Sequence, residues 1–238
     1  MPPTERLDKF LSTNTDLTRS LARKAISAGE VAVNGAIIRD GAVKVSANDQ
    51  VLFRGTAIHA AQPHYLMLNK PAGYVCANED GQYPTVIDLI KEPWRFHLHV
   101  AGRLDVDTTG LVLLTDDGDW SHRVTAPRHK QPKRYHVTTA DPMQEQWCDV
   151  FSKGVELRGD EKLARPAQLE IIDTYTAYLT LQEGRYHQVK RMFAAVGNRV
   201  TALHRVSIGE VLLDPALAPG DYRSLTDTEI NALNGIKS

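Results

Sequence analysis

The chain has 238 residues, 42% of them apolar, and a formal net charge of -1, enough for one large domain or for a small and a medium one with separate cores. No segment approaches the roughly 18 consecutive apolar residues of a membrane span, and the start, Met1-Pro2-Pro3-Thr4-Glu5-Arg6, lacks the basic-then-apolar form of a signal peptide. The only cysteines, Cys76 and Cys148, stand alone and suggest neither a disulfide framework nor a zinc knuckle, so a cytoplasmic protein with reduced thiols is expected.

Residues 6–54 read as a small helix and hairpin module. A helix starts over Arg6 to Leu11. Thr18 can cap a second, with Leu21, Ala25 and Ile26 as its buried side, Arg19, Arg23 and Lys24 outside, and Gly29 at its end. Next comes Val31-Ala32-Val33-Asn34-Gly35-Ala36-Ile37, where Asn-Gly between alternating residues signals a two-residue hairpin. Residues 55–64 lack periodicity and carry Gly55 and Pro63, which reads as a linker. Two domains are therefore expected, 1–60 (with the linker) and 61–238.

The second domain opens with a strand, Tyr65 to Leu68, running into the turn Asn69-Lys70-Pro71-Ala72-Gly73. Phe96 to Val100 alternates like a strand. The stretch Gly102-Arg103-Leu104-Asp105-Val106-Asp107-Thr108-Thr109-Gly110 then enters Leu111 to Leu114, apolar enough for a strand buried on both faces. A carboxylate held just outside such a strand is rigidly placed and partly shielded from water, which makes Asp105 the candidate catalytic residue. Aspartate beside threonine and glycine is also a common turn former. Asp105, Asp107, Thr109, Gly110 and Asp116 fall near the spacing of a calcium loop, but the last ligand should be glutamate and helices should flank it. His97 and His99 share a strand face without a third ligand, so no metal is expected.

Further on, Asp116-Asp117-Gly118 opens a short helix, and Tyr135 to Thr139 is a strand. Asp141-Pro142 reads as a cap and first helical residue ahead of a buried face of Trp147, Val150 and Phe151. Strands follow over Ala167 to Ile172 and Ala177 to Gln182. Glu183 to Phe193 enters a helix with Val189, Met192, Phe193 and Val196 on one face, and Lys190 lies about a quarter turn off it. Val200 to Leu212 forms one or two strands, and Thr226 with Glu229 forms a capping box. No helix regularly follows each strand, so the fold class is α+β with a mixed, largely antiparallel sheet.

Positive charge is segregated. His122 to Arg134 holds five Lys or Arg and no acid, as does Arg185 to Arg205, whereas Tyr135 to Gly184 holds nine acids and four bases. Such concentration suits a polyanion with a limited footprint. Candidate nucleic-acid contacts are Arg19, Arg23, Lys24, Lys70, Arg103, Arg128, Lys130, Lys133, Arg134, Arg185 and Arg191.

Several separate blocks resemble known families. Arg6-Leu7-Asp8-Lys9, the basic helix, Gly29-x-Val31-x-Val33 and Asn34-Gly35 are similar to the S4 RNA-binding domain. Ala101-Gly102-Arg103-Leu104-Asp105, with the Thr-Thr-Gly-Leu turn after it and Asn69-Lys70-Pro71-x-Gly73 before it, resembles the RNA pseudouridine synthases, and more narrowly their small-subunit ribosomal RNA pseudouridine synthase A group. That resemblance implies an S4-like module ahead of a pseudouridine synthase domain whose site crosses the sheet, and isomerisation of a uridine in small-subunit RNA, free or in an assembling subunit. It also implies a basic partner for Asp105 in Gln188-Val189-Lys190, with Arg191 as second choice, and a base-facing Tyr135 in Lys133-Arg134-Tyr135. No cofactor and a monomeric state are expected. Two other classes stay open: a non-catalytic RNA-binding or ribosome-assembly factor, and a hydrolase pairing Asp105 with Asp107.

Overall fold

A computed structural model describes residues 4–46, 48–59, 62–126 and 131–234. Arg128 and Lys130 of the expected basic loop lie outside the described residues. The chain separates into two compact units, Met1–Gln62 and Pro63–Ser238.

In the first unit β1 (Thr4–Arg6) leads into α1 (Leu7–Asn14) and α2 (Arg19–Ser27). Thr18 caps α2 by accepting from the Leu21 amide. Its inward residues are Ala22, Ala25 and Ile26, so the expected Leu21 is replaced by Ala22, and Leu21 is left exposed. β2 (Val31–Val33) and β3 (Ala36–Ile37) form the expected hairpin, with positive φ at Asn34 and Gly35 as a primed turn requires. β4 (Lys44–Ser46) pairs with β1, and β5 (Val51–Phe53) joins β2. The linker reading fails over β6 (Thr56–Ile58), which pairs with β5. A second positive-φ pair, Arg54-Gly55, makes that turn where sequence shows only one Gly.

The second unit is built on one sheet. Its strands are β7 (Tyr65–Lys70), β8 (His99–Ala101), β9 (Thr109–Thr115), β10 (Lys133–Thr139), β11 (Gln168–Ile171), β12 (Thr176–Leu181), β13 (Val200–Ile208), β14 (Val211–Leu212) and β15 (Tyr222–Ser224). The order is β11-β12-β10-β13-β9-β7-β15, with β8 on β9 and β14 on β13. Every pairing is antiparallel except β13 with β9, the mixed sheet expected of an α+β domain. The helices are α3 (Gly118–Thr125), α4 (Gln146–Lys153), α5 (Gln188–Ala195) and α6 (Asp227–Leu233). Asp117 caps α3, and Thr226 with Glu229 boxes α6. Among the described residues no helix is long and apolar enough to cross a membrane.

Two local expectations fail for tertiary reasons. Asp141-Pro142 does not start a helix; α4 begins at Gln146. The Asn198 side chain claims both the amide and the carbonyl of Asp141, and Met143 donates to Thr174. On α4, Trp147 and Phe151 are buried but Val150 is exposed. Phe96 to Val100 is not one strand: Pro93–His97 is a 3-10 turn and only His99–Ala101 pairs.

Register places one row of residues across the middle of the sheet. Tyr135 of β10 faces Arg205 of β13, Arg205 faces Gly110 of β9, and Gly110 faces Lys70 of β7. Gly110 has φ +101°, and a side chain there would collide with the backbone of Arg205, so only glycine lets β9 and β13 close.

Candidate active site

The loop between β8 and β9, carrying Asp105, ends on that row. Its backbone carbonyls are held from two sides by buried cations. Lys70 is fully buried, and its ammonium donates to the carbonyls of Pro71, Val106 and Thr108 at 3.0, 3.2 and 2.7 Å. Arg205, 2% exposed, donates through Nε to Leu111 at 2.8 Å, through Nη2 to Gly102 at 2.7 Å and through Nη1 to Arg103 at 3.3 Å. The Gly73 amide reaches Val106, the Leu104 amide reaches Cys76 Sγ, and Thr108 closes back on the Asp105 carbonyl. With so many fixed points, the backbone of the Asp105 loop cannot drift.

The sequence leaves two roles open for Lys70, contact with RNA or the cap of a turn, and its burial favours the second over the first: all three donors go to carbonyls, and burial lowers its pKa, offset in part by Cys76, Asp107 and Asp105. It anchors the loop from beneath.

Asp105 is half-buried, with Oδ2 3.4 Å from Lys190 Nζ and Oδ1 3.6 Å from His187 Nε2. Lys190 makes its shortest contact elsewhere, 2.6 Å to Asp107 Oδ1. Burial works against the lysine charge, but Asp107 and Asp105 together hold its pKa above the ordinary value. Burial likewise opposes the charge of Asp107, and the Lys190 hydrogen bond and charge outweigh it, so its pKa falls. Lys190 thus sits between two carboxylates as a shared cation. Arg191, the second choice for that place, instead donates to Asp160 at 2.7 Å and to the carbonyls of Arg158 and Tyr186.

Tyr135 is buried in β10 and lines two adjoining cavities. One, of about 90 Å³, also takes in Asp105, Thr108, His187 and Lys190. The other, of about 560 Å³, has an apolar floor that includes Val100, Val124 and Ile208 and a rim with Arg103, Lys133 and Arg165. Among the described residues the Tyr135 hydroxyl has no hydrogen-bond partner, leaving it free for a ligand. A third opening, of about 740 Å³, shares Arg103, Asp105, His187 and Lys190 with the small cavity and adds Tyr83 and Tyr186.

The basic residues divide sharply. Arg103 and Lys133 line this cleft with no carboxylate partner among the described residues, and burial with Arg205 nearby lowers the Lys133 pKa. Three other expected contacts are committed. Arg134 points to the opposite sheet face, 2.6 Å from Glu170 and 4.1 Å over the Tyr178 ring. Arg185 is clamped by Asp160, Glu183 and the carbonyls of Lys162 and Leu163, and Arg191 shares that Asp160. These arginines tie the 158–165 loop to the start of α5. In the first unit Arg19 and Arg23 remain half-exposed, although both converge with Arg6 on the buried Asp8, whose carboxyl they hold far below the usual range. Lys24 is exposed in the last turn of α2.

Sequence reasoning missed His187, Tyr186, Gln188 and Arg205. His187 adopts a left-handed φ of 47° directly before α5, which turns its ring toward Asp105. Gln188 fixes that turn, accepting from the Arg185 amide and donating to Glu183. Arg205 carried a usable signal: it stands in an alternating strand, where an inward cation must find acceptors. Among the described residues no group of three His, Cys, Asp or Glu could hold a metal ion.

Comparison with known proteins adds to this geometry. A family model described as RNA pseudouridylate synthase matches residues 64–195, and one for the S4 domain matches residues 5–51. The ribosomal small subunit pseudouridine synthase A of Haemophilus influenzae is 52% identical over 96% of this chain and 99% of its own. The protein of that name from Escherichia coli is 50% identical over 94% and 98%. A crystal structure of a pseudouridylate synthase, 52% identical, superposes with a TM-score of 0.71 over 96% of this chain and 99% of its own.

Proposed function

Because the chain belongs to the RNA pseudouridylate synthase family and is therefore an RNA pseudouridine synthase with an S4 domain, we propose that it isomerises one uridine of small-subunit ribosomal RNA, with Asp105 as the catalytic carboxylate. The reaction breaks the bond from ribose C1′ to N1, turns the freed uracil and rejoins it through C5. Substrate and product contain the same atoms, so neither an oxidant nor a group donor is consumed.

The observation that carries the residue assignment is the position of Asp105, on a loop pinned by Lys70 and Arg205, 3.4 Å from Lys190 and in one cavity with Tyr135. As the carboxylate, Asp105 either attacks C1′ or removes a ribose proton, with the Lys190 ammonium 3.4 Å away. The Tyr135 ring lies against the extruded uracil, and its unpartnered hydroxyl serves the proton at C5. Flipping the base costs a few kcal/mol, and phosphate contacts from Arg103 and Lys133 help offset it. A pair of working carboxylates is disfavoured, since Asp107 is bound to Lys190 at 2.6 Å and largely exposed.

The small-subunit assignment rests on the relatives, whose names state that subunit. Its test is to map pseudouridine by chemical labelling and reverse transcription in ribosomal RNA from cells with and without this protein. One small-subunit position should lose its signal. Loss only in large-subunit or transfer RNA would keep the enzyme class and overturn the substrate.

A further inference from the structure

Beyond the carboxylate, the cleft carries an aromatic pair with no structural duty in the core. Tyr186 is 77% exposed, very high for a residue of its size. Its ring stacks on His187 with centroids 3.8 Å apart and planes 20° from parallel. His187 in turn reaches Asp105. Tyr186 opens onto the 740 Å³ side of the cleft, together with Tyr83, itself 40% exposed, and Arg103, which has no carboxylate partner among the described residues. The Arg191 guanidinium fixes the backbone here by donating to the Tyr186 carbonyl, and the left-handed φ at His187 sets the two rings side by side.

From this we infer that Tyr186 is a stacking platform for the base of the nucleotide next to the target uridine. An exposed, oriented ring face backed by a second ring presents a flat apolar surface at little entropic cost, and every nucleobase has a matching face. The cation for the intervening phosphate is already present in Arg103. The arrangement forms a continuous series from flanking base to Tyr186, His187 and Asp105, so a correctly stacked neighbour would sit in fixed register with the carboxylate. This rests on the reading of the Asp105 cleft as the RNA site.

The test uses the full chain and a small-subunit RNA fragment in two versions, unmodified and with 2-aminopurine beside the target. Tyr186→Ala should raise KM by roughly 5- to 150-fold, the range for losing one stacked base, with the loss on KM rather than kcat. Tyr186→Phe should restore it. The 2-aminopurine fluorescence should be quenched on binding the wild-type protein and not on binding Tyr186→Ala. An unchanged KM with an unchanged quench would overturn the platform. So would a fall in kcat alone, which would mean that Tyr186 only props His187. Quenching by a wild-type protein that converts no uridine in this RNA would support the platform and defeat the substrate assignment, so the two failures are distinguishable.

Discussion

Replacing Lys190 with methionine separates an electrostatic role from a positional one. The ammonium lies 3.4 Å from Asp105, and the two side chains are 26% and 29% exposed. At that distance the attraction is about 1 kcal/mol in bulk water and about 5 kcal/mol at an effective dielectric constant of about 20. A half-buried pair falls between these limits. With about 1.4 kcal/mol per factor of ten in rate, losing that interaction should lower kcat/KM by roughly 10- to 1,000-fold. Lys190→Arg, which keeps the charge, should recover most of the rate, whereas Lys190→Gln, which keeps a polar side chain without the charge, should not. A Lys190→Arg variant as slow as Lys190→Met would refute the electrostatic role and leave Lys190 as a spacer.

Other parts of the molecule give independent checks. Arg205→Met strands the carbonyls of Gly102, Arg103 and Leu111. At about 1 kcal/mol or more each, it should lower Tm by roughly 6 to 12 °C together with kcat, and an unchanged Tm would show that the loop holds itself. In the first unit, replacing Arg19, Arg23 and Lys24 with glutamine should reduce the slope of log RNA affinity against log salt by roughly 2 to 3; an unchanged slope would mean that this helix binds no phosphate. Arg223 holds the Glu229 carboxyl down to about 2 from 4.5. A depressed carboxylate contributes stability above its ordinary pKa that is lost as pH falls toward the folded value. Glu229→Gln should flatten the fall of Tm between about pH 4.5 and 2, and parallel Tm curves would contradict this.

Local signals in the sequence were enough wherever a single turn decides the outcome. Thr18, Asn34-Gly35, Asp117 and the Thr226 and Glu229 box all act within four residues, and each appears where its chemistry demands. Signals that depend on distant partners misled. Asp141-Pro142 has the form of a helix start, but Asn198, 57 residues away, takes its backbone. Thr56–Ile58 has too little alternation to announce itself, and pairing with β5 makes it a strand. Charge was the least legible property of the site. Sequence shows where cations are dense, not which carboxylate or carbonyl each one meets. Thus Lys70 and Arg205 prove to be buried anchors, and Arg185 and Arg191 converge on Asp160. The Asp105 loop was legible because its motif and the strand after it are contiguous. The approach of His187 to Asp105 was not, because the residues lie 82 positions apart and meet only in the folded chain.

The most direct measurement on the whole is isomerisation by Asp105→Asn, a change that keeps the shape of the side chain and removes its charge. Purified wild-type and variant proteins would be incubated with small-subunit RNA, free or in a partly assembled particle. Pseudouridine would be read by chemical labelling and reverse transcription, since the product has the mass of the substrate. The variant should bind RNA within a few-fold of wild type and form no pseudouridine. Measurable turnover by Asp105→Asn would contradict the assignment of the catalytic carboxylate.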